Sequence, residues 1–187
     1  MWHSRGYVDA VGLCVALLRA VNVGTTNRVR MDALRAVFHA AGYPDAVTHI
    51  QTGNVIFTPT HDVATTRNKI EQQIERDLGL AISVILRTGA ELDALLSRNP
   101  LLDTAADAAR LYVVFLSSEP SPVDVEAFES LSFADAQFAV SGREVFVRFA
   151  AGAGQSKLTG ALIEKKLRQR ATMRNWAVTS TLAELSR

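Results

Sequence analysis

The chain has 187 residues, of which 48% are hydrophobic and 21% charged, and its 20 basic and 19 acidic residues give a net charge of +1. This composition is typical of a globular protein with one or two domains and excludes a disordered or fibrous chain. The single cysteine, Cys14, excludes an internal disulfide and favours a cytoplasmic location. The longest uncharged run, 10–18, is too short to span a membrane, and the flanking Asp9 and Arg19 do not suit a signal peptide.

The first half of the chain predicts one α+β unit. Residues 1–10 show no periodicity and are interpreted as an N-terminal tail. Six segments then have the length and apolar period of a strand or helix: a strand at 11–18, a helix from 31 to 41, strands at 47–50 and 54–57, a helix from 63 to 78, and a strand at 82–86. This order is that of a ferredoxin-like (βαββαβ) unit on an antiparallel sheet, which we place at 11–87.

The second half repeats this order after a linking helix and loop at 88–110. The predicted elements are a strand at 111–116, a helix after Ser121-Pro122, strands at 133–140 and 144–149, a helix beginning at Ser156-Lys157, a strand at 171–174 and a closing helix from Trp176. The fold prediction is therefore α+β, with two ferredoxin-like units in tandem and the second at 111–187. The halves share the order of elements but no strong repeat of residues.

The loop between the first strand and the first helix is about twice as long as such a connection needs, which is typical of a functional loop. The end of the first strand, where this loop begins, and the 51–54 turn are expected at the same end of the first sheet. A cluster of amide, hydroxyl and guanidinium donors is therefore predicted there, with glycine allowing close backbone approach: Arg19, Asn22, Gly24, Asn27, Gln51, Thr52 and Asn54. Such donors suit a phosphate or carboxylate. Alternatively, the asparagines bond the loop's own backbone.

A second cluster is predicted in the second unit. Ser156 and Lys157 follow a glycine-rich loop at the start of a helix, and Arg174 and Asn175 end the last strand at the same edge. Backbone N–H groups and the helix dipole there suit an anion, although the G-K-[S/T] of a Walker loop is absent. The alternative is a flexible loop with an ordinary serine cap.

Charge is distributed unevenly along the chain. Residues 91–135 contain nine acidic and two basic residues, and residues 143–174 contain eight basic and two acidic ones. This distribution either attracts an anion locally or belongs to solvated helix faces.

Other chemistries have weaker signals. The four histidines show no spacing typical of metal ligands, and no metal site is predicted. Cys14 lies among apolar residues, where a thiol is inert. Tyr112, Phe146 and Arg148 are placed on one strand face, where aromatic side chains could stack on RNA, but packing of Tyr112 and Phe146 against the other unit is favoured.

Several motifs resemble one bacterial family, the domain of unknown function 1697. They are LLRAVNVGTTNRVRMDALR from residue 17, IQTGNVIF from residue 50, NP at 99–100, SKL at 156–158 and TMRNW at 172–176. The matches run in order over about residues 11–185. The resemblance implies an α+β protein and no established activity.

The chain departs from the family pattern in the same loop and turn. Ala20 and Thr25 stand where the family has glycine, Thr26 stands where it has lysine, and Thr52 replaces a serine. An anion at this loop would therefore depend on Arg19, Arg28 or Arg30.

The sequence hypothesis is a cytoplasmic protein that binds an anionic ligand, namely a nucleotide, a phosphorylated metabolite or a short nucleic acid. The alternatives are an enzyme acting on such a ligand, and motifs that only hold the two units together. No base, nucleophile or cofactor is identifiable in the sequence.

Overall fold

A computed structural model describes residues 12–24, 27–102 and 105–187. The predicted tail at 1–10, together with Thr25 and Thr26, lies outside the described residues. The described chain is a mixed α+β protein with two four-stranded antiparallel sheets and six α-helices.

The first sheet and its helices come from the first half of the chain. The elements are β1 (Cys14–Leu18), α1 (Met31–Ala40), β2 (Val47–His49), β3 (Asn54–Phe57), α2 (Val63–Leu78) and β4 (Val84–Thr88). The strand order is β2-β3-β1-β4, with every neighbouring pair antiparallel.

Helix α3 (Gly89–Ser97) and a 3-10 turn (Ala105–Arg110) lead to the second sheet. Its elements are β5 (Leu111–Leu116), α4 (Pro122–Glu129), β6 (Ala136–Ser141), β7 (Glu144–Phe149), α5 (Gly160–Leu167) and β8 (Ala171–Asn175), and α6 (Trp176–Leu185) closes the chain. The order β6-β7-β5-β8, again antiparallel throughout, is the counterpart of the first sheet.

Local capping residues mark the ends of several helices. The Asp62 side chain accepts a hydrogen bond from the Thr65 amide, and Gly79 ends α2 in the left-handed region with φ 67°. Thr88 and Glu91 form a complete capping box at α3. These local signals are readable in sequence because each satisfies backbone groups within a few residues.

The prediction that a helix begins at Ser156-Lys157 is wrong. The chain forms a 3-10 turn at Ala153–Gln155, and α5 begins at Gly160 with Thr159 as its cap. Thr159 Oγ1 accepts a hydrogen bond from the Leu162 amide at 3.2 Å. Two capping residues therefore stand three positions apart, and the second one caps the helix.

Three hydrophobic clusters form layers through the molecule. One lies between the first sheet and α1 and α2, and another between the second sheet and α4 and α5. The middle cluster joins the two sheets and contains Val15 and Ile85 of the first with Val113 and Phe146 of the second. Helices α3 and α6 contribute to it, and Trp176 is buried there.

Helices α3 and α6 approach very closely at Gly89. A Cβ added to this residue would lie 2.0 Å from the backbone oxygen of Ser186. Glycine is therefore required here for space. It is not required for backbone conformation, because the φ of Gly89 is not in the left-handed region.

We expect Gly89→Ala to lower the free energy of unfolding by about 2 kcal/mol, because overpacking forces two backbones apart. Gly160→Ala is the matched control: it is also the first residue of a threonine-capped helix, and an added Cβ there meets nothing within 4 Å. Urea denaturation of both variants measures the difference. Equal stability of the two variants would contradict the assigned α3–α6 contact.

Candidate functional site

The loop after β1 is folded around the side chain of Asn22. Its Nδ2 donates to the carbonyls of Val29 at 2.9 Å and Gln51 at 2.8 Å, and its Oδ1 accepts from the Val29 amide at 2.9 Å. Asn27 Nδ2 donates to the Ala20 carbonyl at 3.1 Å. Both asparagines therefore shape the loop, and Asn22 attaches it to the 51–54 turn.

Four residues of this loop adopt left-handed backbone conformations. Asn22, Gly24 and Asn27 have φ of 55°, 58° and 46°, and each is a residue type that tolerates this region. Ala20 has φ 53° and lacks that tolerance. Glycine at this position in the family pattern is thus explained by the backbone, and alanine here is strained.

Arg19 forms an ion pair with Glu164 of the second half of the chain. Its Nε and Nη2 donate to the two carboxylate oxygens at 2.7 and 2.6 Å, a bidentate arrangement. Hydrogen bonding to this carboxylate raises the pKa of the Arg19 guanidinium. Glu164 also accepts from the Ala171 amide at 2.7 Å. Arg19 therefore joins the halves, with 43% of its side chain still exposed.

Arg174 of β8 is buried against the end of the first sheet, at 7% exposure. Burial lowers the pKa of its guanidinium to about 10. Neutral oxygen atoms engage all five of its N–H donors: Asn54 Oδ1 at 2.6 Å, Thr172 Oγ1 at 2.7 Å, and the carbonyls of Met173 at 2.8 Å, Leu18 at 3.0 Å and Thr52 at 3.0 Å. This side chain has no donor left for a ligand.

Arg87 of β4 makes the corresponding contacts from the first half to the second, a role that was not among the predictions from sequence. Its Nη2 donates to the carbonyls of Leu116 at 2.9 Å and Arg143 at 3.0 Å, and its Nε donates to Glu144 Oε1 at 2.7 Å. Burial lowers the pKa of Arg87, and the Glu144 carboxylate opposes that shift. The sequence does contain a signal for this role of Arg87. An arginine directly precedes the N-cap residue of a helix in both V-I-L-R-T and A-T-M-R-N.

The 51–54 turn is held in place from within the protein. Asn54, fully buried, donates through Nδ2 to Thr52 Oγ1 at 3.0 Å and to the His49 carbonyl at 3.1 Å. Gly53 has φ 72°, and an added Cβ would lie 2.9 Å from Leu18 Cβ. Glycine is therefore needed here for both conformation and space.

The second predicted cluster does not come together around a ligand site. Ser156 Oγ accepts from the Leu158 amide at 3.0 Å, and the Lys157 amide donates to Asp135 at 3.0 Å. Asn175 caps α6 through the Val178 amide at 2.8 Å. Within the described residues, no hydrogen bond joins these groups to the Arg174 side chain, which faces the first half instead.

An open pocket of about 360 Å³ lies beside the loop. Its lining residues are Asn22, Gly24, Arg28, Val29, Arg30 and Gln51. Arg28 makes no ion pair or hydrogen bond within the described part of the chain. Arg30 pairs with Asp32, but 85% of its side chain is exposed. The guanidinium groups of Arg28 and Arg30 at this pocket are open to solvent, whereas that of Arg174 is buried.

Ion pairs join the two unevenly charged segments. Arg143 pairs with Glu91 of α3, and Arg168 with Asp124 at 3.3 Å. The charge asymmetry in sequence is thus partly internal pairing between segments.

The prediction that Tyr112 and Phe146 share one strand face is wrong. The favoured packing against the other half is confirmed for Phe146 and is wrong for Tyr112. In the antiparallel register Phe146 lies opposite Val113, so both side chains share the face that packs between the sheets. Tyr112 packs on the other face, with its ring edge toward Phe149 at 5.3 Å between centroids. Because the two rings lie on opposite faces of the sheet, they do not form a shared platform on which RNA bases could stack.

Metal and nucleophile chemistry find no support in the residues that the structure describes. They contain no group of three or more His, Cys, Asp or Glu side chains able to hold a metal ion. Burial raises the pKa of the Cys14 thiol to about 11, so the thiol stays protonated at neutral pH. The described chain also has no helix of the length and apolarity needed to cross a bilayer.

Comparisons with known proteins give a family and a fold. The family model described as "Protein of unknown function (DUF1697)" matches residues 13–146. The solved structure of a conserved bacterial protein from Streptococcus pneumoniae is similar, with a TM-score of 0.75 and 22% sequence identity over 94% of this chain and 99% of that one. At this identity the likeness shows the fold alone. The comparison with curated proteins gave no match.

We expect Ala20→Gly to raise the free energy of unfolding by about 0.5 to 1 kcal/mol, because relief of left-handed strain exceeds the entropy cost of glycine. Ala36→Gly, at an exposed position inside α1, is the control and should cost about 1 kcal/mol. Thermal or urea unfolding measures both. A loss of stability in Ala20→Gly equal to that in Ala36→Gly would contradict the loop conformation.

Proposed function

The chain belongs to the DUF1697 family, as its sequence motifs predicted, and we propose that it binds a small anionic ligand, such as a nucleotide or phosphorylated metabolite, beside the 19–30 loop. The observation that carries the proposal is the open Arg28 guanidinium at the loop pocket. It remains available to a ligand, whereas Arg19 is paired with Glu164 and Arg174 is buried with all of its donors engaged.

The pocket supplies the groups that an anion needs. Arg28 and Arg30 bring two guanidiniums, which suit a phosphate through paired N–H donors. Arg30 can exchange Asp32 for a ligand at small cost, because an exposed ion pair contributes at most about 1 kcal/mol. Gln51 adds an amide, and Gly24 lets the ligand approach the backbone.

The remaining residues of the predicted site take positioning roles in this proposal. Asn22 and Asn27 hold the loop in shape, and Thr52 and Asn54 hold the turn beside it. Ser156, Lys157 and Asn175 belong to the second half and do not line this pocket. The proposed ligand site therefore contains fewer residues than the site predicted from sequence, and it is centred on Arg28.

Binding is favoured over catalysis at this pocket. The described residues that line it include neither a histidine nor a carboxylate, so they lack the usual general acid or base. An enzyme remains the second hypothesis from sequence, but no observation at the loop favours it.

We further infer that each half is a ferredoxin-like unit and that the protein works in a bacterial cytoplasm. The order βαββαβ and the matching strand orders of the two sheets support the first inference. The single buried thiol and the bacterial origin of the similar structure support the second.

We expect Arg28→Ala to weaken the binding of ADP and pyrophosphate about tenfold, the loss typical of one charge-assisted hydrogen bond. Lys166→Ala, which removes one exposed positive charge from α5, is the control and should bind as wild type. Isothermal titration calorimetry at low salt, with a short single-stranded RNA as a third probe, measures the affinities.

Absence of binding by all three probes would contradict the proposal. Equal weakening in Arg28→Ala and Lys166→Ala would reduce it to general charge attraction. Binding of the RNA alone would identify a nucleic-acid protein instead.

A further inference from the structure

A second cavity lies at the junction of the two halves, away from the residues of the loop pocket. Its volume is about 280 Å³. One wall comes from α2 and β4, and the other from residues that follow β5 and precede β8. An adjoining cavity of about 260 Å³ shares Asn68, Glu71, Ser83 and Arg170 with it. The combined space is small for a protein partner and suits a small molecule.

Two guanidiniums line this junction cavity. Arg67 is partly buried, and no ion pair or hydrogen bond involves it in the described part of the chain. Arg170 donates through Nη1 to Ser83 Oγ at 2.9 Å, a contact that joins the two halves, and its other donors have no partner among the described residues. Two cations without a carboxylate partner, on opposite walls, form a site for an anion.

The same cavity also presents hydrogen-bond acceptors. Glu71 uses Oε1 to accept from the Val84 amide at 2.8 Å, which leaves its second carboxylate oxygen open. Asn68 and Ser118 line the cavity and make no hydrogen bond within the described residues. A bare inorganic anion would meet repulsion from Glu71, whereas a hydroxyl group would donate to it. The ligand should therefore carry both an anion and hydroxyl groups.

We propose that the junction cavity binds a phosphorylated polyol or sugar, with the phosphate between Arg67 and Arg170 and the hydroxyl groups toward Glu71 and Asn68. Such a ligand spans both halves and satisfies the open donors and acceptors together. The site is distinct from the loop pocket, since the two share no lining residue among those that the structure describes.

The test is calorimetric titration of the full chain with glucose 6-phosphate, inorganic phosphate and glucose as probes. We expect glucose 6-phosphate to bind at least about tenfold more tightly than phosphate, and glucose not to bind. Arg67→Met should weaken glucose 6-phosphate at least about fivefold. Arg76→Met, an exposed arginine of the same helix, should not, and Arg28→Ala should not either.

Ser118→Asp gives a second, independent variant, because this exposed position tolerates substitution and the added charge repels the phosphate. Failure of glucose 6-phosphate to bind at about 10 mM would overturn the proposal. So would wild-type affinity in Arg67→Met and Ser118→Asp, or equal affinity for phosphate and glucose 6-phosphate. Weakening in Arg28→Ala alone would assign the ligand to the loop pocket and overturn the junction site.

Discussion

Two buried arginines hold the halves of this protein together, and the rest of the structure depends on them. Arg174 reaches from the last strand of the second sheet to the carbonyl of Leu18, and Arg87 reaches from the last strand of the first sheet to the carbonyl of Leu116. Each also bonds the carbonyl before its own residue, at 2.8 Å. Because each guanidinium binds strand-end carbonyls of the other half, these contacts fix how the two sheets pack face to face.

The two contacts differ in the charge of the side chain that each arginine meets. Arg87 meets the Glu144 carboxylate, whereas the corresponding acceptor for Arg174 is the neutral amide oxygen of Asn54. Burying a cation without a carboxylate partner costs free energy unless neutral acceptors engage its N–H donors. In Arg174 such acceptors engage all five donors. Arg19 and Arg174, which belong to recognisable motifs, therefore serve the junction, whereas Arg28 of the first motif and Arg67 of α2 keep open guanidinium groups.

Features that depend on residues close in sequence, such as helix caps, could be predicted, whereas most contacts between distant residues could not. The caps at Asp62 and Thr88 could be read because they satisfy backbone groups within three residues. The Arg19–Glu164 pair, separated by 145 residues, could not be read from spacing. Arg174 was predicted as a ligand residue because a polar side chain at a strand end has two possible roles, and only the packing of the second sheet on the first decides between them. The proximity of the loop to the 51–54 turn was an exception, because the strand topology alone predicted it. In the structure Asn22 Nδ2 lies 2.8 Å from the Gln51 carbonyl oxygen.

The most direct test of the junction is the hydrogen exchange of arginine Nε–H groups, followed by nuclear magnetic resonance on the full chain. Because Arg87 and Arg174 donate these hydrogens to buried acceptors, we predict exchange at least about 100-fold slower than at Arg28. Arg28, with its guanidinium at an open pocket, should exchange like an unfolded arginine. Fast exchange at Arg174 would show that its guanidinium is open to solvent, and would contradict the assignment of this residue to the junction.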